Sequence, residues 1–230
     1  MTDRSPSFWV VIPAAGVGSR MQADRPKQYL ALGGRSLIEH TLDCFLSHPG
    51  LQGLVVCLSA DDCWWPQLPC AKDRRITRAD GGRERADSVL NGLRKLAELG
   101  AADQDWVLVH DAARPNLSGS DLQNLLHTLR DDPVGGLLAV PVRDTLKLAG
   151  ADGRVSSTPD RSLFWQAYTP QMFRLGALRN ALADALAAGV TITDEASAME
   201  WAGQAPRLVE GRADNIKITR PEDLAFLQQD

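Results

Sequence analysis

The chain has 230 residues, 44% of them hydrophobic and 23% charged, with a formal net charge of -4, a balance that fits one folded α/β domain over 1–230 and not a disordered segment. That mild acidity argues against duplex nucleic acid as a partner, because a phosphate backbone selects clustered cations. No apolar stretch reaches membrane-spanning length and the first residues lack a signal-like apolar core, so no membrane and a cytoplasmic location are the expectations.

Phe8 to Ile12 is apolar and rich in β-branched residues, as an inner strand of a parallel sheet is. The following segment, PAAGVGSRMQADRPKQ over 13–28, carries small residues at Ala14, Ala15, Gly16 and Gly18 and cations at Arg20 and Lys27. Small side chains let backbone amides approach an anion, and the cations add the charge a triphosphate requires. Two other phosphate loops fail on spacing: Lys27 is followed by Gln28 rather than Ser or Thr, and Met21 stands where a dinucleotide fingerprint needs Gly or Ala.

Ser36 to Leu46 has helical apolar spacing, Gly53 to Ser59 reads as a buried strand, and Arg74 to Arg78 as a short one. Arg85 to Leu99 places Val89, Leu90, Leu93 and Leu96 on one helical face and stops at Gly100. Trp106 to Val109 is a strand running into His110 and Asp111, and Ser118 with Asp121 forms a capping pair before the next helix. Gly135 to Val142 is a further strand. This β-then-α order predicts a mostly parallel sheet flanked by helices, with ligands at the carboxyl ends of its strands.

The pattern changes over 145–160, where apolar and polar residues alternate around Gly-Ala-Asp-Gly as in a projecting hairpin. Such a hairpin is marginal alone, and it packs on a partner subunit or back on its own domain. Arg174 to Ala188 and Asp194 to Trp201 read as helices, Arg207 to Val209 and Asn215 to Ile218 as strands, and Thr219 to Gln229 as a last helix with Pro221 near its start.

Asp111 ends a buried strand, where a carboxylate needs a cation or a metal. Magnesium, an ion pair with Arg114 and a helix cap all fit that placement. Gly82 and Ser88 lie in DGGRERADSV, compatible with base contacts and equally with an ordinary turn; Asp214 and Lys217 in GRADNIKI are either surface residues or a carboxylate and cation converging on the loops. The four cysteines, Cys44, Cys57, Cys63 and Cys70, lack CxxC spacing and read as reduced structural thiols, and the four histidines show no zinc-ligand spacing.

Together, PAAGVGSRM with PKQ, DGGRERADSV, VHDAARP, TDEASAME and VEGRADNIKITRPEDL closely resemble the 2-C-methyl-D-erythritol 4-phosphate cytidylyltransferases of the non-mevalonate isoprenoid pathway, with PVRDTLK and PDRSLFWQAYTPQ flanking the arm. The resemblance implies a Rossmann-like domain of the nucleotide-diphospho-sugar transferase type, and a homodimer completed by the arm at 145–160. It implies transfer of a cytidylyl group from CTP to the acceptor with Mg2+. Ala14 to Gly18 would cradle the triphosphate, Arg20 and Lys27 would stabilise transition-state charge, Gly82 and Ser88 would meet cytosine, and Asp111 would lie beside the metal. Thr145 and Arg161 of one subunit, with Thr193, Asp214 and Lys217 of the other, would hold the acceptor. Arg83 departs from relatives with an acidic residue there. A cytidylyltransferase for another polyol phosphate, such as ribitol 5-phosphate, and a non-catalytic nucleotide-binding module are the competing readings.

Overall fold

The structure, a computed structural model, describes residues 6–16 and 25–227. Its strands are β1 (Phe8–Pro13), β2 (Ala31–Leu32), β3 (Arg35–Ser36), β4 (Leu51–Leu58), β5 (Ile76–Asp80), β6 (Trp106–Val109), β7 (Gly135–Pro141), β8 (Leu148–Ala149), β9 (Val155–Ser157), β10 (Trp165–Arg174) and β11 (Arg207–Glu210). The helices are α1 (Leu37–Leu46), α2 (Arg85–Glu98), α3 (Gly119–Leu129), α4 (Leu175–Ala187), α5 (Glu195–Trp201) and α6 (Pro221–Leu227).

Seven strands form one sheet in the order β11-β7-β10-β6-β1-β4-β5. Along β1, β4 and β6 successive side chains enter opposite cores: Val10, Ile12, Leu54, Val56 and Leu108 face α1 and α3, whereas Val11, Val55, Cys57 and Val107 face α2 and α4. Both faces are therefore dry, which explains runs that are apolar without alternation. Each fully buried Val, Ile or Leu contributes roughly 1.5–3 kcal/mol relative to exposure.

The helix starts follow local chemistry. The Ser36 amide donates to the Glu39 carboxylate at 2.9 Å, closing the first turn of α1, and the Asp121 amide donates to Ser118 Oγ at 3.1 Å at the start of α3. Such caps are each worth about 1 kcal/mol. In α2, a Cβ on Gly92 would lie 2.5 Å from a Val11 methyl and 2.8 Å from Cys57 Sγ, so only glycine lets this helix settle onto β1 and β4.

Two expectations are corrected. β10, over Trp165–Arg174, is an antiparallel strand between β6 and β7, where the sequence reading has no strand. Pro170 lies inside it, and the pairing with β7 shifts register between Ala167 and Gln171. Asn215 to Ile218, expected as a strand, is a loop whose Ile218 amide donates to Ala113 O at 2.8 Å. The arm is present as the β8–β9 hairpin, antiparallel and separated from the main sheet.

Chain direction sets the position of the site. β1, β4, β5, β6, β7 and β11 run the same way, so their carboxyl ends share one edge. The chain steps from β1 to β4 and β5 on one side, then returns to β6 on the other. The resulting crevice between β1 and β6 is where such sheets receive ligands.

Candidate active site

The loops after β1, β5 and β6 close on a single cleft lined by Ala14, Ala15, Gly16, Lys27, Gly82, Arg83, Arg85, Ser88, Asp111 and Lys217, among others. The first two loops touch: a Cβ on Gly81 would sit 2.2 Å from the Ala15 Cβ. The Gly82 amide donates to Ser88 Oγ at 2.9 Å, and that hydroxyl donates to Glu84 O at 3.2 Å, so Ser88 shapes the turn from the first residues of α2. Gly18 and Arg20 lie outside the described residues.

Lys27 enters from a 3-10 turn, Lys27–Tyr29. Its neighbour, buried Gln28, donates from Nε2 to Ala14 O at 2.7 Å, tying this turn to the first loop. Lys27 Nζ donates to Ile218 O at 3.3 Å, so the C-terminal loop and the first loop meet over the cleft.

Asp111 is the electrostatic centre. Arg85 Nε lies 3.0 Å from its Oδ1, Lys217 Nζ 2.8 Å from its Oδ2, and Arg114 Nε 3.5 Å from the same Oδ2. Burial pushes the Asp111 carboxyl up, but Arg85, Lys217 and Arg114 pull further the other way and hold it far below the ordinary carboxylate range. Arg85 also grips Glu195 with Nη1 at 2.7 Å and Nη2 at 3.2 Å. Burial raises the Glu195 carboxyl above its usual value, with Arg85 offsetting part of that rise.

The turn after β6 is stitched from behind. The Asp111 amide donates to Thr169 Oγ1 at 3.1 Å, Thr169 Oγ1 lies 3.0 Å from His110 Nδ1, and His110 Nε2 lies 3.0 Å from Arg114 O. Burial pushes His110 down to about 4, so the ring is neutral near pH 7 and serves as a structural hydrogen-bonding group. Arg114 stacks over Tyr168 at 4.5 Å and donates from Nη1 to Asn215 O at 2.6 Å. These contacts use the loop at 215–218 as a lid on the turn rather than as a strand.

The structure separates the sequence-derived site residues into two groups. Ala14, Ala15, Gly16, Lys27, Gly82, Ser88, Asp111 and Lys217 share the cleft. Thr145 and Arg161 are exposed beside the arm, where Arg161 donates to Arg143 O. Thr193 is exposed, with its hydroxyl 3.4 Å from Ser197 Oγ, and Asp214 pairs with Arg212. The second carboxylate drawn to the cluster is thus Glu195, through Arg85, and not Asp214. Sequence reasoning missed Arg85 and Glu195; the available signal was a pair of opposite charges beside motif glycines and helix starts.

Glycine turns and paired cations at the carboxyl edge of a mostly parallel sheet, without a Walker or dinucleotide loop, define an α/β nucleotidyltransferase. The sequence profile of the 2-C-methyl-D-erythritol 4-phosphate cytidylyltransferase family matches residues 8–229. The chain is 74% identical to a protein of that name from Ectopseudomonas mendocina, covering 98% of this chain and 96% of the relative. It is 72% identical to one from Pseudomonas aeruginosa strain UCBPP-PA14, covering 99% and 97%. A crystal structure of 4-diphosphocytidyl-2C-methyl-D-erythritol synthase superimposes with a TM-score of 0.83 at 40% identity, covering 97% of each chain. The 2-C-methyl-D-erythritol 4-phosphate cytidylyltransferase of Thermus thermophilus does so with 0.79 at 31% identity, covering 96% and 97%. The chain belongs to the 2-C-methyl-D-erythritol 4-phosphate cytidylyltransferase family. Among the described residues, no helix is long and apolar enough to cross a membrane.

Proposed function

We propose that this chain transfers the cytidylyl group of CTP to 2-C-methyl-D-erythritol 4-phosphate in the cleft around Asp111, giving 4-diphosphocytidyl-2-C-methyl-D-erythritol and pyrophosphate for isoprenoid precursor synthesis in the cytoplasm. The observation that carries this reading is the convergence of the Ala14–Gly16 loop, Lys27, Gly82, Ser88, Asp111 and Lys217 on one cleft in a chain of this family.

An acceptor phosphate oxygen is already anionic near neutral pH, so it attacks the α-phosphorus of CTP without a dedicated base. The bond formed is from that oxygen to the α-phosphorus; the bond broken runs to the bridging oxygen of the leaving pyrophosphate. The protein's task is to align two polyanions and stabilise growing charge on the phosphoryl oxygens. The Ala14 amide is taken up by Cys57 O at 2.8 Å, so the backbone of Ala15 and Gly16 borders the triphosphate, and Gly82 with Ser88 borders the base. Lys27, with Arg20, stabilises transition-state charge, while Lys217 and Arg161 position the acceptor phosphate.

Asp111 suits a magnesium ion that arrives with the nucleotide. Among the described residues no three His, Cys, Asp or Glu side chains cluster as a metal cage, and Mg2+ is commonly held by one or two carboxylates plus substrate phosphates. Such an ion supplies charge neutralisation across the phosphates. Thr145, Thr193 and Asp214 complete the acceptor side.

A homodimer is part of the same reading. The arm and its base leave Leu148, Val155 and Leu163 at 58%, 64% and 78% exposure, with Phe164 and Trp165 beside them also exposed. Such a run of exposed apolar side chains supports burial against a second copy, which brings Thr145 and Arg161 to the partner's cleft.

Pyrophosphate release tests the reaction. CTP with 2-C-methyl-D-erythritol 4-phosphate is expected to release it, whereas ATP, GTP or UTP, or CTP alone, release little. Faster release with ribitol 5-phosphate as acceptor would overturn the acceptor assignment, and equal release with all four nucleotides would overturn the CTP assignment.

A further inference from the structure

Glu195 has no part in the reaction as described above, yet its placement is costly. It opens α5 with its side chain 1% exposed, and a buried carboxylate is tolerated only with a firm partner. That partner is Arg85, which arrives from the start of α2, 110 residues away in sequence.

The turn that presents Glu195 is itself fixed. Asp194 Oδ1 accepts from the Ser197 amide at 2.9 Å. The Gln171 side chain from β10 spans the turn, donating to Asp194 Oδ2 at 2.9 Å and accepting from the Ala196 amide at 2.7 Å. Glu195 therefore offers both oxygens to Arg85 from a rigid base.

The consequence lies in how the guanidinium is divided. A free arginine fork would meet a carboxylate with two parallel N–H groups. Here both terminal nitrogens are committed to Glu195, and only Nε reaches Asp111 Oδ1 at 3.0 Å. Asp111 Oδ2 is left to face Lys217 at 2.8 Å, with Arg114 Nε more distant at 3.5 Å.

We propose that Glu195 is a positioning residue for the transfer reaction: by gripping both terminal nitrogens of Arg85, it keeps that guanidinium from closing as a fork on Asp111, so that Asp111 stays available to Lys217 and to the metal-bound triphosphate. Without Glu195, the half-buried Arg85 charge turns to the remaining carboxylate, engages both Asp111 oxygens and displaces Lys217. The metal half of this inference rests on the reading of Asp111 given above; the Arg85 geometry does not.

The test is a double-substitution cycle with E195Q, R85Q and the pair, using two readouts. The first is Mn2+ binding in the presence of CTP, followed by electron paramagnetic resonance. The second is steady-state kinetics at saturating metal. E195Q is expected to raise half-saturating Mn2+ about tenfold or more, to lower kcat at least about tenfold and, because the displaced Lys217 positions the acceptor phosphate, to raise KM for the acceptor as well. Adding R85Q to E195Q restores them toward the values of R85Q alone, because the competing fork is gone. Unchanged metal binding and kcat in E195Q would overturn the proposal, as would losses that R85Q deepens additively. If E195Q does not fold, E195D takes its place: a retracted carboxylate releases one terminal nitrogen, and the same rescue by R85Q is required. D111N separates the two readings, for if it binds Mn2+ with CTP as the wild type does, the metal assignment fails while the kinetic rescue alone still decides the role of Glu195.

Discussion

The two halves of the proposed site are built differently. The described nucleotide half lies within one chain: the loops after β1, β5 and β6 line one cleft, and Asp111 meets Arg85, Lys217 and Arg114 at 3.0, 2.8 and 3.5 Å. The acceptor half is scattered over exposed segments, with Arg161 on Arg143 O and Asp214 on Arg212. A preassembled polyanion cradle needs no reorganisation when charge develops, which is where electrostatic stabilisation is most effective. Exposed residues borne by an apolar arm gain such order only when another surface fixes them. The difference sets a nucleotide half assembled within one chain against an acceptor half that, in the proposed dimer, a second chain completes.

The largest expected effect comes from the prepared half. Lys27→Ala should lower turnover at least about a hundredfold, since removing one preorganised donor costs about 3 to 4 kcal/mol in the barrier. Its melting temperature should barely move, because Lys27 is only partly buried and substitutions at such side chains usually shift stability by about 0.5 kcal/mol or less. A folded Lys27→Ala protein with near-normal turnover would erase the distinction between cradle and scaffold.

A second effect probes how tightly that half is stitched. His110 is buried and neutral in the fold, with a value pushed down to about 4, whereas an exposed histidine titrates near 6.5. Between these values the unfolded chain binds more protons than the folded one, so His110 contributes stability above about pH 6.5 that is lost as the pH falls toward 4. The loss is on the order of 3 kcal/mol. Denaturant titrations near pH 7 and near pH 4.5 should show a smaller acid-induced drop for His110→Gln than for the wild type. Equal drops would mean that His110 is not held neutral behind Asp111.

What the sequence discloses divides along the same line. β1, β4 and β6 are buried on both faces, so their apolar runs announce them, and the glycines after β1 and β5 mark the loops that touch. β10 escapes because Pro170 and Gln171 interrupt its pattern, although a central antiparallel position buries Met172 and Phe173 completely. Asn215 to Ile218 misleads for the opposite reason. Asn215 and Ile218 are buried, but they pack on the turn after β6 through Ile218 N to Ala113 O and Asn215 Nδ2 to Thr169 O, not on a neighbouring strand. Lys27 is legible as a cation following the glycine loop and Asp111 as a strand-end charge. Glu195 is not, because an ion pair across 110 residues leaves no periodic trace.

The claim that the acceptor half comes from a second copy is tested most directly by mixing Lys27→Ala and Arg161→Ala proteins, each impaired alone at low acceptor concentration. In a mixed dimer one cleft carries both substitutions and the other carries neither, so equal, random mixing should restore roughly one quarter of wild-type activity. Activity no greater than the average of the two separate proteins, in samples shown to exchange subunits, would contradict a site shared between chains.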